Sequence, residues 1–286
     1  MSETPIVDFI NSGGWAESTQ RQYERILTKL LEERDPERMT ANNLRDWLAG
    51  QGWGDSLRWV AYCVIKSYLR WQYGGDHPAL ILRIKRKVSG PQRSLKMSEV
   101  QNLLNSFDAF TVKGRRDLAI CTLFLDTGLR AAELCSLQIS HVDLEDRSLV
   151  VKIKGGAWSR AVFSTYTGAC VSQWLSERDR AALKLEKALF VGVGGAKPGT
   201  RITTHGLRAI MRGWAREASL KALSPHDLRR TFATLAIRAG APSRIVQVAG
   251  RWKHIEMVER YTSSIVAQDL DKWYPVTRAI ARIELA

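Results

Sequence analysis

Two mainly helical domains and one small β-hairpin are what this sequence predicts. Three observations carry that prediction. Apolar residues recur at helical spacing over most of the chain. A basic stretch interrupted by Ser89-Gly90-Pro91 divides it. A single pair of β-prone runs flanks Lys154-Gly155-Gly156. The length of 286 residues suits two domains at roughly 150 residues each.

The N-terminal part reads as helix throughout. From Trp15 to Glu33, residues Tyr23, Ile26, Leu27, Leu30 and Leu31 share one face. Thr40 has the chemistry of an N-cap for a short helix through Leu48, ending before Gly50. Leu57 to Tyr73 is a longer periodic helix, stopped by Gly74-Gly75. A bundle over residues 1–82 follows. The segment 83–96, RIKRKVSGPQRSLK, holds six basic residues and no acid. It is read as a linker, either a solvated tether or one that lies on a nucleic-acid backbone through Arg83, Lys85, Arg86, Lys87, Arg93 and Lys96.

The second domain spans residues 97–274. Ser98 is expected to cap its first helix, and Arg115 to Asp126 forms the next. Gly128 permits a sharp turn before a helix beginning near Arg130. Leu149 to Ile153 and Ala161 to Phe163 pair as a hairpin. Gly192 to Thr200 is a loop, and from Thr204 onward the chain is again mostly helical. The last segment, 275–286, places Val276, Ile280 and Ile283 on one helical face.

Bulk composition narrows the partners. A hydrophobic content of 45% and a charged content of 25% are ordinary for a folded chain. A net charge of +14 and a pI near 9.9 are not, and they favour a polyanion. An anionic membrane fits charge alone, yet the longest apolar run, Leu118 to Leu125, is far too short to span one. The N-terminal MSETPIVDFI lacks the features of a signal peptide. Cys63, Cys121, Cys135 and Cys170 are scattered, without CxxC or zinc spacing. They read as reduced thiols of a cytoplasmic protein without a structural metal.

Four pieces carry chemistry. In SPHDLRRTFATLAIRAG, Ser224 caps a helix, Pro225 takes its first position and Asp227 suits its first turn. His226 and Arg229 then share one face at a helix N-terminus, where an anion is favoured. In DTGLRAAELCSL, Gly128 turns the backbone so that Arg130 points back, and Glu133, one turn on, can hold its guanidinium. Taken alone, that pair is better read as an ordinary surface ion pair. Lys154 at a hairpin tip can reach a leaving oxygen, with Lys152 as the competing lysine. Tyr261 is a weak nucleophile until cationic neighbours activate it, and Tyr166 and Tyr274 compete for that role. Together these side chains suit attack on a phosphodiester without a metal, because two arginines stabilise the charge that develops on the non-bridging oxygens.

The order of the motifs, TGLRxxEL, the Lys-Gly hairpin, HDLRRTFAT and a late G-x-W preceding tyrosine, resembles the tyrosine recombinase (phage integrase) family. The resemblance runs from about Thr19 to Thr262 and is strongest from Thr127 on. It implies that Arg130 and Arg229 clamp the scissile phosphate and that Glu133 orients Arg130. It implies that Lys154 protonates the leaving 5′-oxygen, that His226 assists the nucleophile and that Tyr261 is the nucleophile. Nine residues before the tyrosine the family usually has histidine, and here stands Trp252. An indole N–H donates to a phosphate oxygen but shuttles no proton. His254 is off register by two and reads as structural or DNA-facing. Arg230 stands where the family often has histidine.

The resemblance further implies a C-shaped clamp on double-stranded DNA carrying short core sites, with a 3′-phosphotyrosine and a Holliday junction as intermediates. No cofactor is implied. It implies a homo-tetramer on synapsed DNA, with segment 275–286 docking into a neighbouring protomer; folding back on its own domain is the other reading. The bundle begins almost at the first residue, leaving no room for an arm-site domain. That favours a member like Xer or Cre, cytoplasmic and associated with the nucleoid. A type IB topoisomerase shares the chemistry, and a DNA-binding regulator that no longer cuts is the alternative from a different class.

Overall fold

The computed structural model describes residues 4–87, 93–153, 156–195 and 197–261, the last of these by its backbone. The chain divides into two compact units, Met1–Gly90 and Pro91–Ala286.

In the first unit, α1 (Thr4–Ser12), α2 (Glu17–Glu33), α3 (Ala41–Gly50) and α4 (Asp55–Tyr73) close around one core. The periodic residues of α2 supply its centre, with Ile26, Leu27 and Leu30 buried against Leu44, Leu48, Ile65 and Leu69. Thr40 caps α3, its hydroxyl accepting the Asn43 N–H at 3.2 Å. After α4, Gly74 takes φ 89°, a conformation that costs glycine little. Helix α1 was not legible in the sequence. It contributes Phe9, whose ring meets Tyr68 edge-on at 5.5 Å.

The second unit is built around α6 (Val112–Thr127), which follows α5 (Met97–Asn105). Helix α6 is buried on nearly every side, from Leu118 through Phe124. It packs against α8 (Thr165–Ala181) and α10 (Pro225–Arg238). Helix α7 (Ala131–Ser136) follows α6 directly. A three-stranded antiparallel sheet comes next, in the order β1 (Val142–Asp143), β2 (Ser148–Lys152), β3 (Trp158–Val162). The hairpin register pairs Leu149 with Ala161 and Lys152 with Trp158. Leu149, Val151 and Ala161 turn inward, whereas Val150, Lys152, Trp158 and Val162 face out. Helices α9 (Thr204–Glu217), α11 (Ser243–Ala249) and α12 (Glu256–Tyr261) complete the described part.

Two local expectations shift. Helix α5 begins at Met97, not after Ser98, because the Glu99 carboxylate accepts the Lys96 N–H at 2.9 Å and opens the helix two residues earlier. Strand β3 starts at Trp158, three residues before the expected run. Segment 275–286 and Lys154 lie outside the described residues. Cys121, Cys135 and Cys170 are buried free thiols and Cys63 is half-buried. Burial raises the Cys135 thiol to about 11, which leaves it protonated and unreactive near neutral pH. Among the described residues no helix is long and apolar enough to cross a membrane.

Candidate active site

The site is organised around the end of α6. Gly128 ends that helix in the left-handed conformation, φ 57° and ψ 34°, and its N–H returns to the Phe124 carbonyl at 2.9 Å. A Cβ at this position would come within 2.5 Å of the Phe232 ring, so glycine is required by both backbone and space. The chain reverses and Arg130 becomes the residue preceding α7.

Glu133 accepts the Arg130 backbone N–H at 2.9 Å and its guanidinium at 2.5 Å. The carboxylate side chain is only 4% exposed, while the Arg130 side chain is 40% exposed. The acid is sunk and the arginine stands out from it. Burial alone raises the Glu133 carboxyl, but the hydrogen bonds from Arg130 and the charge of Arg251 outweigh it. The group is held below its ordinary value and stays ionised.

From the far side, α10 delivers the second motif. Ser224 caps it, with its hydroxyl accepting the Asp227 N–H at 3.3 Å and Asp227 accepting the Ser224 N–H at 2.8 Å. This places His226 and Arg229 in the first turns of the helix, as the motif requires. The two differ in exposure. His226 is exposed, whereas Arg229 is 1% exposed. The Arg229 guanidinium donates to the carbonyl of Gly128 and, at 2.7 Å, to that of Gly250. Its plane lies 4.4 Å from the Trp252 ring centre. The second arginine is therefore fixed to the same glycine turn that presents the first. His226 is exposed overall, but atoms packed around its ring desolvate it in part, and this first, then Arg230, Arg229 and Arg130, holds it below the ordinary histidine value.

Trp252 is buried and stacks on Phe232 at 6.2 Å. A Cβ on Gly250 would overlap its indole, so that glycine makes room for the ring. The Gln247 amide donates to the carbonyls of Trp252 and Lys253 at 3.2 and 3.3 Å and fixes the loop between α11 and α12. Helix α12 packs on α10 and α11 and ends at Tyr261. The Tyr261 side chain, like Lys154, lies outside the described residues. Lys152 is exposed at the end of β2, paired with Trp158, and Ile153 donates to Ala157 across the turn at 2.8 Å.

The basic segment is divided in its contacts. Lys85, Arg86 and Lys96 are exposed. Arg83 reaches the Leu80 carbonyl at 3.0 Å, and Lys87 pairs with Asp55 at 3.2 Å. Arg93 donates to the Ala222 carbonyl and pairs with Glu99 at 2.7 Å, which ties it to the second unit.

Two features escaped the sequence reading. Arg251, with φ 56°, turns a buried guanidinium toward Glu133 at 3.4 Å. Nothing in the sequence pointed to it, because a position with positive φ is normally glycine. The other is a basic stripe on α9. His205, Arg208, Arg212 and Arg216 are exposed along one face, opposite buried Leu207, Met211, Trp214 and Ala215. Their spacing of three, four and four was legible in THGLRAIMRGWARE.

The model of the phage integrase family matches residues 93–267. The chain belongs to the phage integrase family. Other members share most of its length. The tyrosine recombinase XerC of Corynebacterium efficiens is 33% identical over 261 residues, covering 87% of this chain and 82% of that protein. XerC of Vibrio campbellii is 30% identical over 284 residues, covering 91% and 87%. Solved structures of lower identity share the integrase fold. The Tn1549 transposon integrase in complex with transposon right end DNA has a TM-score of 0.74 at 16% identity, covering 99% of each chain. XerH site-specific recombinase bound to its difH substrate has a TM-score of 0.69 at 19% identity, covering 92% of this chain and 82% of that one. A lambda integrase dimer bound to a COC′ core site has a TM-score of 0.70 at 14% identity, covering 91% and 95%.

Proposed function

We propose that this integrase-family chain is a site-specific DNA recombinase that cleaves and rejoins strands through a 3′-phosphotyrosine at Tyr261. The observation that carries this reading is the convergence of Arg130 and Arg229 on one turn. Arg229 is tied to the Gly128 carbonyl, and Arg130 follows two residues later, locked by Glu133. Two preplaced guanidiniums suit a phosphodiester whose non-bridging oxygens gain charge during in-line attack.

In this reading Tyr261 attacks phosphorus and the 5′-oxygen leaves with a proton supplied by Lys154. The ester keeps the bond energy, so a 5′-hydroxyl of another strand reseals the backbone without ATP. His226, held neutral near pH 7, is suited to accept the phenol proton. Trp252 takes no part in proton transfer; it holds Arg229 by its face.

DNA is gripped largely through its phosphates. Lys85, Arg86 and Lys96 and the α9 stripe are the exposed cations we assign to it. Binding should weaken steeply with salt, at about 0.9 log units per neutralised phosphate per log unit of salt. We further assign the working form to a tetramer on synapsed sites, formed with segment 275–286 docked between protomers, in the compartment that holds the DNA.

Covalent capture tests the reading. The protein is incubated with fragmented DNA of its own replicon and denatured with SDS. The DNA still attached is sequenced, with Tyr261→Phe in parallel. One short, roughly palindromic site, captured by the native protein and lost in the variant while affinity is kept, is the expected result. Adducts without site preference indicate a topoisomerase, and tight binding without any adduct indicates a regulator.

A further inference from the structure

We infer that Arg251 is a positioning residue of the cleavage reaction, acting on Arg130 through Glu133. The inference rests on the proposed recombinase chemistry and adds a residue to it. Arg251 lies between Gly250, the C-cap of α11, and Trp252. Its φ of 56° lies in the left-handed region that non-glycine residues rarely adopt. Such a conformation is unfavourable for an arginine and persists where the surroundings hold it.

What holds it is visible in its contacts. The side chain is 3% exposed. One terminal nitrogen donates to the Ala249 carbonyl at 2.8 Å. The other donates to the Thr127 carbonyl at 3.1 Å and lies 3.4 Å from Glu133 Oε2. That oxygen is the one that accepts the Arg130 backbone N–H, while Oε1 takes the Arg130 guanidinium. The Glu133 carboxylate is therefore bounded by an arginine on each side, one exposed and one sunk.

The consequence is geometric. A glutamate held only by Arg130 could rotate with it, because both would move as one ion pair. Arg251 fastens the carboxylate to the end of α6 through Thr127, so Arg130 pivots on a fixed point. Arg229 and Arg251 bind the consecutive carbonyls of Gly128 and Thr127, and both come from the C-terminal part of the unit. The aim of the exposed arginine is thus set by the turn that precedes Trp252. Removing the Arg251 guanidinium should leave substrate affinity almost unchanged and slow the chemical step, because orientation matters most in the transition state.

Glycine is the informative substitution, since it relieves the positive φ while deleting the guanidinium. The test uses the DNA site found by covalent capture, as a nicked duplex that traps the phosphotyrosyl adduct. Native protein, Arg251→Gly, Arg251→Lys and Glu133→Gln are compared for affinity, single-turnover adduct rate and melting temperature. The expected result for Arg251→Gly is a melting temperature lowered by a few degrees, because relief of the positive φ offsets only part of the lost bonds, with affinity within about twofold and an adduct rate lower by roughly 10- to 100-fold. Arg251→Lys should recover part of the rate, and Arg251→Gly should add little in the Glu133→Gln background. An Arg251→Gly rate within about twofold of native overturns the inference. So does a rate loss matched by a collapse in melting temperature that Arg251→Lys fails to reverse, since the residue is then structural only. Absence of any adduct with native protein would instead defeat the recombinase reading itself.

Discussion

The two units handle polar groups in opposite ways. Among the described residues the first buries one polar side chain, His77, whose ring nitrogen meets the carbonyls of Pro36 and Glu37 at 3.0 and 3.2 Å. The second buries twelve, including Arg116, Asp117, Glu133, Arg178 and Arg229. The first is an apolar bundle whose charges lie outside. The second sinks guanidiniums and carboxylates and satisfies them with backbone carbonyls and with one another. A buried charge is costly unless its partners are fixed, and fixed partners are what a site for a developing anion needs. The difference teaches that the site's rigidity is made from the same buried polar contacts that make this unit vulnerable.

The sharpest way to break that comparison is Arg229→Lys. An ammonium keeps the charge but cannot serve the Gly128 and Gly250 carbonyls and the Trp252 face together. Adduct formation should fall by about 10²–10³. The second unit should melt roughly 4–8 °C lower, equivalent to about 2 kcal/mol of lost charge-assisted hydrogen bonding. Single-turnover capture and calorimetry check the two effects. Native-like activity would mean that the buried contacts serve stability alone.

The pH profile of cleavage gives a smaller effect. His226 is held below the ordinary histidine value by partial desolvation of its ring and by three arginines, so more of it stays neutral as pH falls than of an ordinary histidine. The midpoint of the decline in its capacity as a base should therefore lie below pH 6.5. His226→Gln should slow cleavage and remove that acid limb. A decline already complete above pH 6.5 would assign the limb to another group.

The smallest effect belongs to the first unit. Thr40→Ala removes the cap of α3 and should cost about 1 kcal/mol. Denaturant melting should register that loss while the adduct rate on bound DNA stays native. A changed rate would show that the bundle reaches into the chemistry.

The same contrast explains what the sequence disclosed. In the first unit, α2, α3 and α4 follow from apolar periodicity and from Thr40 and Gly74, because burial there is ordinary hydrophobic burial. In the second, α8 was not legible. Its buried face mixes Thr167, Gly168 and Arg178 with Cys170, Val171 and Trp174, which leaves no clear apolar periodicity to mark a helix. Gly128, Arg130, Glu133, His226 and Arg229 were legible because turn and cap chemistry fixes their neighbours locally. The burial of Arg229 was not, since its acceptors lie about a hundred residues away at Gly128 and in the later turn at Gly250. Arg251 was hidden for a further reason: its backbone conformation is set by contacts with Thr127, Ala249 and Glu133, not by its own residue type.

The ties from Arg229 and Arg251 back to the Gly128 and Thr127 carbonyls also order events on the ribosome. A nascent chain that has emerged through α9 already carries Arg130 and Glu133, but nothing yet binds those two carbonyls. The partners that lock the turn are translated later, and Tyr261 later still. Because domains fold as units during synthesis, the ability to break a strand arrives only after the parts that position and reseal it. On the proposed chemistry, a product that ends before Tyr261 binds DNA at most and cuts none.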